Sequence, residues 1–247
     1  MERSKQEKIL RDNNAAEYDK WYLERGENAV FVEDETILFY LSFDNNVKRF
    51  LDLGCGTGRL TCNISKKFPL IDIYGLDISP KSIEILNNKQ CNVKGFEFDA
   101  SIDKINQVFD KKFDRILSMQ MIQHLTKDGA INAITEIYNG LTDNGIAVIE
   151  LYNYTGLNRI IERIRSFGKI KKIQKKDLFF EYRYGANEFK EFCLKNSKFK
   201  TIEIYGCQNI SRRWINKFPF LIKFDLWLSR FSLSKYLGYY FIAVLKK

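Results

Sequence analysis

Apolar and polar positions change period along this chain. From about residue 48, short β-branched or aliphatic runs alternate with stretches whose apolar residues recur at helical spacing, a pattern that predicts βαβ units and a mostly parallel sheet. Strands are expected near 49–54, 71–77, 93–98, 113–118 and 145–152, with helices near 58–67, 80–89, 101–109 and 127–140. Ser79-Pro80 and Thr126 with Asp128 mark helix starts, and Asn144-Gly145 marks the turn into the fifth strand. A helix near 186–196 and two further strands, 200–207 and 239–247, complete the alternation. Ahead of the first strand, two helices are expected, with Tyr18, Trp21 and Tyr22 on the first. Two segments break the alternation: 155–184, which is basic and amphipathic, and 208–238, which is rich in aromatic residues.

The 247 residues are 45% hydrophobic and 29% charged, the composition of a globular chain with a sizeable core. We read one elaborated domain, with residues 1–47 a helical lid, 48–154 the core, 155–184 a basic insert and 185–247 the closing strands. The amino terminus is polar, and Lys217, Pro219, Lys223, Asp225 and Arg230 interrupt the aromatic segment, so neither reads as a membrane span. Five cysteines without a CxxC pair, and one histidine, exclude zinc-finger spacing and point to a reducing, cytoplasmic setting. The net charge of +9 is uneven. Residues 1–150 carry 19 Lys/Arg against 24 Asp/Glu, whereas residues 151–247 carry 21 against 7. The basic surface therefore belongs to the carboxy-terminal part, where it can meet nucleic acid, an anionic membrane or an acidic substrate.

The strongest local signal is the run from Phe50 to Leu60, FLDLGCGTGRL, an apolar strand that breaks into Gly54, Gly56 and Gly58 and enters a helix. Glycine permits a positive φ and lets the backbone approach a ligand closely, and at this point of a doubly wound sheet the ligand faces a helix amino terminus. The second strand ends at Asp77, where a nucleotide fold places a carboxylate that accepts ribose hydroxyls. Asp99 ends the third. Each aspartate alone reads equally well as a cap or turn residue; three strand ends in register point to one site.

DLGCGTG, GLDIS, FDA, FDRILSMQMIQHL and LTDNGIAVIE together resemble the successive motifs of class I S-adenosylmethionine-dependent methyltransferases, over residues 15–154 and more loosely over 185–207. The resemblance implies a Rossmann-like α/β fold, a doubly wound seven-stranded sheet of order 3-2-1-4-5-7-6, with helical inserts forming a cap on the acceptor side. It implies S-adenosyl-L-methionine as methyl donor. Gly54, Cys55, Gly56 and Gly58 would hold its methionine part with Asp52 near the amino group, Asp77 the ribose, and Asp99 with Ala100 the adenine, and Ile78 and Met119 would also bind the donor. Tyr18 and Tyr22 would close over the sulfonium, which an aromatic face attracts.

Methyl transfer from a sulfonium needs alignment and dryness more than chemistry from side chains, although an acceptor hydroxyl or ammonium must lose a proton. His124, after the fourth strand, is the candidate catalytic base, and ordering of its loop is the alternative reading. The segment is similar to ubiquinone-biosynthesis O-methyltransferases, where two glutamates and this histidine are linked to a metal. Gln120 and Gln123 stand at the glutamate positions, and amides are poor Mg²⁺ ligands, so no metal is expected. Tyr152 and Tyr154 are candidates for the acceptor pocket. A small-molecule, lipid-linked or glycan acceptor, methylated on O or N, is the leading expectation, with peripheral contact to a membrane surface through 208–238. An RNA methyltransferase and a non-catalytic donor-binding protein are the alternatives.

Overall fold

The computed structural model describes residues 2–166 and 181–247. Its strands are β1 (Arg49–Leu53), β2 (Asp72–Asp77), β3 (Lys94–Glu97), β4 (Phe113–Met119), β5 (Leu141–Tyr152), β6 (Thr201–Cys207) and β7 (Tyr240–Lys246). They form one seven-stranded sheet of order β3-β2-β1-β4-β5-β7-β6, as expected. The first five strands pair in parallel, and β7 runs antiparallel between β5 and β6. Consecutive fully buried positions, such as Ile116, Leu117 and Ser118 of β4, face both sides of the sheet, which is why the central strands pair on both edges and carry helices on both faces.

The helices are α1 (Glu2–Asn14), α2 (Tyr18–Leu23), α3 (Glu27–Leu41), α4 (Arg59–Lys67), α5 (Pro80–Asn87), α6 (Lys127–Gly140), α7 (Leu157–Ser166), α8 (Ala186–Asn196), α9 (Arg212–Lys217) and α10 (Leu221–Leu228). Strand alternation sends Leu51 and Leu53 to the face covered by α6 and α8, and Phe50 to the face covered by α3, α4 and α5. The expected helix starts are real. Ser79 accepts from the Ser82 N–H with Pro80 at the first helical position, and Thr126 accepts from the Gly129 N–H.

Several expectations need correction. The helix expected at 101–109 is a single 3₁₀ turn, Ile105–Gln107. Local bonds compete with it: Asp103 accepts from the Asp99 N–H, Asp99 from Ser101, and Glu136 of α6 takes the Ile105 N–H. The fifth strand begins at Leu141, ahead of the Asn144-Gly145 turn signal, because Leu141 pairs with Phe113 before the register shifts. Tyr18 begins α2, the second helix, and α1 precedes it. The side chain of Trp21 and the run Lys169, Lys171, Lys172, Lys175 and Lys176 lie outside the described residues. Cys62 of α4 is joined to Cys91 by a disulfide, with Cα atoms 5.4 Å apart, a pairing across 29 positions that spacing did not suggest. No helix among the described residues is long and apolar enough to cross a membrane.

One buried carboxylate fastens α3 to the sheet. Glu33 is fully buried and accepts hydrogen bonds from Gln120 Nε2 after β4 (2.9 Å), from Gln208 Nε2 after β6 (3.2 Å), and from the Arg25 guanidinium. Gln120 and Gln208 both adopt positive φ, 52° and 53°, which costs a non-glycine residue energy and turns each side chain back towards α3. Removing a partner from such a group strands the others. Glu33→Ala is expected to lower unfolding free energy by about 3–5 kcal/mol in urea titration, and a loss under about 1 kcal/mol would show that α3 is held by apolar packing alone.

Candidate active site

The chain leaves β1 through three glycines at positive φ: Gly54 at 87°, Gly56 at 53° and Gly58 at 76°. They do different work. A Cβ on Gly58 would lie 2.2 Å from Leu86 of α5, so this glycine permits helix packing rather than ligand approach. A Cβ on Gly56 would meet only the Tyr18 ring, at 3.5 Å. The open side of the loop therefore faces α2, and its N–H donates to an oxygen of Asp77 (2.8 Å).

Asp77 accepts from the Ser79 N–H with its other oxygen (2.9 Å). Burial raises its pKa, and these two main-chain donors work against that rise. Asp99 accepts from the Ser101 N–H and hydroxyl (3.0 and 2.6 Å) and from the Ser4 hydroxyl of α1. Two carboxylates thus stand fixed at adjacent strand ends, each with remaining lone pairs.

A cavity opens above these strand ends. Tyr18, Gly54, Gly56, Asp77 and Ile78 line one part of it, and Asp99, Ala100, Met119 and His124 another. Asp52, Cys55 and Gly58 do not line it. Asp52 points to the same side as Phe50, under α4, where Thr61 donates to it; its second oxygen is buried without a partner. The Cys55 sulfur packs over Gly75 of β2. Pattern reading places residues along a strand but leaves open which face each side chain takes once the strand breaks.

The sequence placed α1 within a helical lid over 1–47 but named none of its side chains as site residues. Arg3, Ser4, Glu7 and Arg11 lie over the cavity, with Glu7 paired to Arg3 (2.9 Å) and Arg11 (2.8 Å). The helix is anchored by Ser4 on Asp99, Lys8 on Glu97, and Asp12, which accepts from Ser79 (2.5 Å). Its i, i+4 charge spacing was visible as a helix signal, but nothing in it names the opposite face.

A second cavity adjoins the first. Arg11, Tyr18, Gln120 and His124 line both, and Tyr22, Arg25, Gln123, Tyr152 and Glu181 line the second alone. Tyr22 therefore belongs to this cavity, and Tyr154 stands behind its wall, with its hydroxyl bonded to Glu181 and its ring edge-on to Tyr152. Burial raises the phenols of Tyr18, Tyr22 and Tyr152, which stay neutral donors. Burial lowers the Arg25 pKa, but Glu33 and the surrounding negative groups outweigh it and leave the pKa raised. Glu150, fully buried beside Glu33, is pushed well above the carboxylate range by burial first and by Glu33 next. Gln120 donates to both carboxylates, at 2.9 and 3.0 Å, while Gln123 accepts from the Tyr152 N–H (3.1 Å) and sits 3.5 Å from His124 Nε2. Among the described residues no group of three His, Cys, Asp or Glu side chains is placed to hold a metal ion.

Residues 50–145 match the model of a methyltransferase domain family. This match and the methyltransferase relatives support a class I S-adenosylmethionine-dependent methyltransferase. It is 25% identical over 150 residues to the malonyl-[acyl-carrier protein] O-methyltransferase of Bacillus anthracis, a match covering 60% of this chain and 54% of that protein. It spans about half the length of that relative. In fold, the whole chain resembles the plantazolicin methyltransferase BpumL, solved with a triazolic desmethylPZN analog and SAH, at TM-score 0.65, 19% identity and 99% and 95% coverage of the two chains. It also resembles a possible histamine N-methyltransferase of Thermotoga maritima, at TM-score 0.65, 15% identity and 97% and 99% coverage.

The methyltransferase domain carries one carboxyl whose titration is predictable. Burial raises Asp52 to about 7, against the pull of the Thr61 hydroxyl, with Asp77 adding to the rise. A carboxyl raised on folding stabilises the folded state below its unfolded pKa of ~4, and that contribution is lost as pH climbs to about 7. Urea midpoints of the wild type are expected to fall between pH 5 and pH 8 by more than those of Asp52→Asn. Parallel pH profiles would contradict the assignment.

Proposed function

We propose that the first cavity holds S-adenosylmethionine and the second holds a small-molecule or lipid-linked acceptor, to which the protein transfers a methyl group. The observation that carries this reading is the shared wall: Arg11, Tyr18, Gln120 and His124 face both spaces, so ligands in the two would meet there. The residues fit the donor chemically. Asp77 and Asp99 offer fixed carboxylate oxygens to hydroxyl and amino donors, Gly56 leaves the loop open, and Ile78, Phe98 and Ala100 give apolar surface for a flat ring.

When bound, the donor supplies an activated methyl group, and the chain's own residues bind, align and exclude water. α1 lies over the donor cavity, and its anchors on Asp99 and Ser79 hold it there. The neutral Tyr18 ring stands against Gly56, on the side where a sulfonium gains from an aromatic face. Gln120 is fixed by Glu33 and Glu150, which take its amide hydrogens, so its carbonyl oxygen is the polar atom this side chain has left. His124 is the group we assign to taking a proton from the acceptor. The methyltransferase names of the relatives support the reaction class; what those proteins act on is not carried over to this chain.

The test is transfer of label from methyl-labelled S-adenosylmethionine to fractionated cell extract. Label is expected in the small-molecule or lipid fraction, and label found only in RNA would overturn the acceptor reading. His124→Ala is expected to lower the rate by ~10²–10⁴-fold while donor affinity stays unchanged. A rate within a factor of about three of the wild type would leave His124 as a loop-ordering residue.

A further inference from the structure

Helix α10 is inverted for a helix on the surface of a globular protein. Its inward side holds a carboxylate: Asp225 is fully buried and accepts from the N–H groups of Asn209 (3.1 Å) and Ile210 (2.6 Å). Its outward side is aromatic. Phe224 and Trp227 of α10 are 51% and 50% exposed, and Phe220 and Phe231, just before and just after the helix, are 74% and 47% exposed. Phe224, Trp227 and Phe231 touch one another. Phe224 stacks on Trp227 (5.5 Å between centroids), and Trp227 meets Phe231 edge-on (4.8 Å).

The stripe belongs to a wider patch. Trp214 of α9 is also half exposed and stacks on Phe218 (5.4 Å), which neighbours Phe220 (6.0 Å). On α3, Phe39 is exposed beneath the Arg230 guanidinium, 4.9 Å from its centroid. Leu233 and Tyr236 extend the exposed apolar surface. A contiguous patch of this kind marks an interaction surface.

Charge decides the occupant. Residues 208–238 carry six basic side chains, Arg212, Arg213, Lys217, Lys223, Arg230 and Lys235, and one acidic residue, the buried Asp225. No carboxylate stands outward in the segment to meet a cationic partner. Half-exposed Trp and Phe rings flanked by Lys and Arg match the boundary of an anionic bilayer, where rings enter the headgroup layer and cations meet phosphate. We propose that α9 and α10 dock the protein on an anionic lipid surface. The helices are too short to cross it, so the contact is peripheral.

Docking there places lipid beside the second cavity. Asn216 of α9 donates to the main-chain oxygen of Arg25 (3.0 Å) and accepts from the Ala29 N–H (3.2 Å), and Arg25 lines that cavity. The docking itself does not depend on the donor reading.

The experiment is co-sedimentation of the full chain with vesicles of phosphatidylcholine alone and with about 30 mol% phosphatidylglycerol added. Binding is expected to the mixed vesicles and to weaken with salt. Phe224→Glu/Trp227→Glu is expected to reduce it at least about tenfold while the protein stays folded by urea titration, because both side chains are half exposed and neither belongs to the buried core. Lys217→Gln/Lys223→Gln/Arg230→Gln is expected to remove the preference for anionic lipid. No sedimentation with mixed vesicles, equal binding to phosphatidylcholine alone, or binding undiminished in the first variant overturns the proposal, as would saturable binding of an acidic protein in place of vesicles.

Discussion

A single buried carboxylate sets the geometry on which both cavities depend. Glu33 collects N–H donors from the ends of two different strands and a guanidinium from the loop before its own helix. Buried N–H groups need acceptors, and a buried carboxylate needs donors, so each is costly without the others. The left-handed turns at Gln120 and Gln208, each a cost of order 1 kcal/mol, are tolerated because they deliver amides to that carboxylate. Gln120 then becomes a fixed wall between the cavities, and Arg25 a fixed wall of the second.

The donor-side elements were legible where physics is local. Strand periods and helix caps are short-range signals, and the glycine loop followed by Asp77 reports a backbone need that few other residues meet. The resemblance to methyltransferases rested on those same motifs, and the matched domain covers most of them. The failures are long-range. The inward turn of Asp52 depends on Thr61 of the following helix, the loss of a helix at 101–109 on Glu136, and the cover over the cavity on an α1 whose partners lie about 70–95 residues away. Glu33 was invisible for the same reason: one glutamate in a helix looks solvated until two distant amides, Gln120 and Gln208, join Arg25 around it.

The uneven charge of the chain also acquires a location. Among the described positions no basic residue of 151–247 lines either cavity; Arg212 bonds Gln208 (3.0 Å) and lies over the Tyr239 ring (4.4 Å). The aromatic segment packs against α3, with Phe220, Phe224, Trp227 and Phe231 exposed. Donor-side chemistry and surface contact are thus divided between the two ends of the chain and meet at α3.

The account stands on the first cavity being a donor site. Calorimetric titration of the full chain with S-adenosylhomocysteine, with NAD as control, addresses that directly. One site per chain with a Kd of ~10 µM or tighter, and no heat from NAD, is the predicted result. No binding of S-adenosylhomocysteine, or binding of NAD at equal strength, would contradict it.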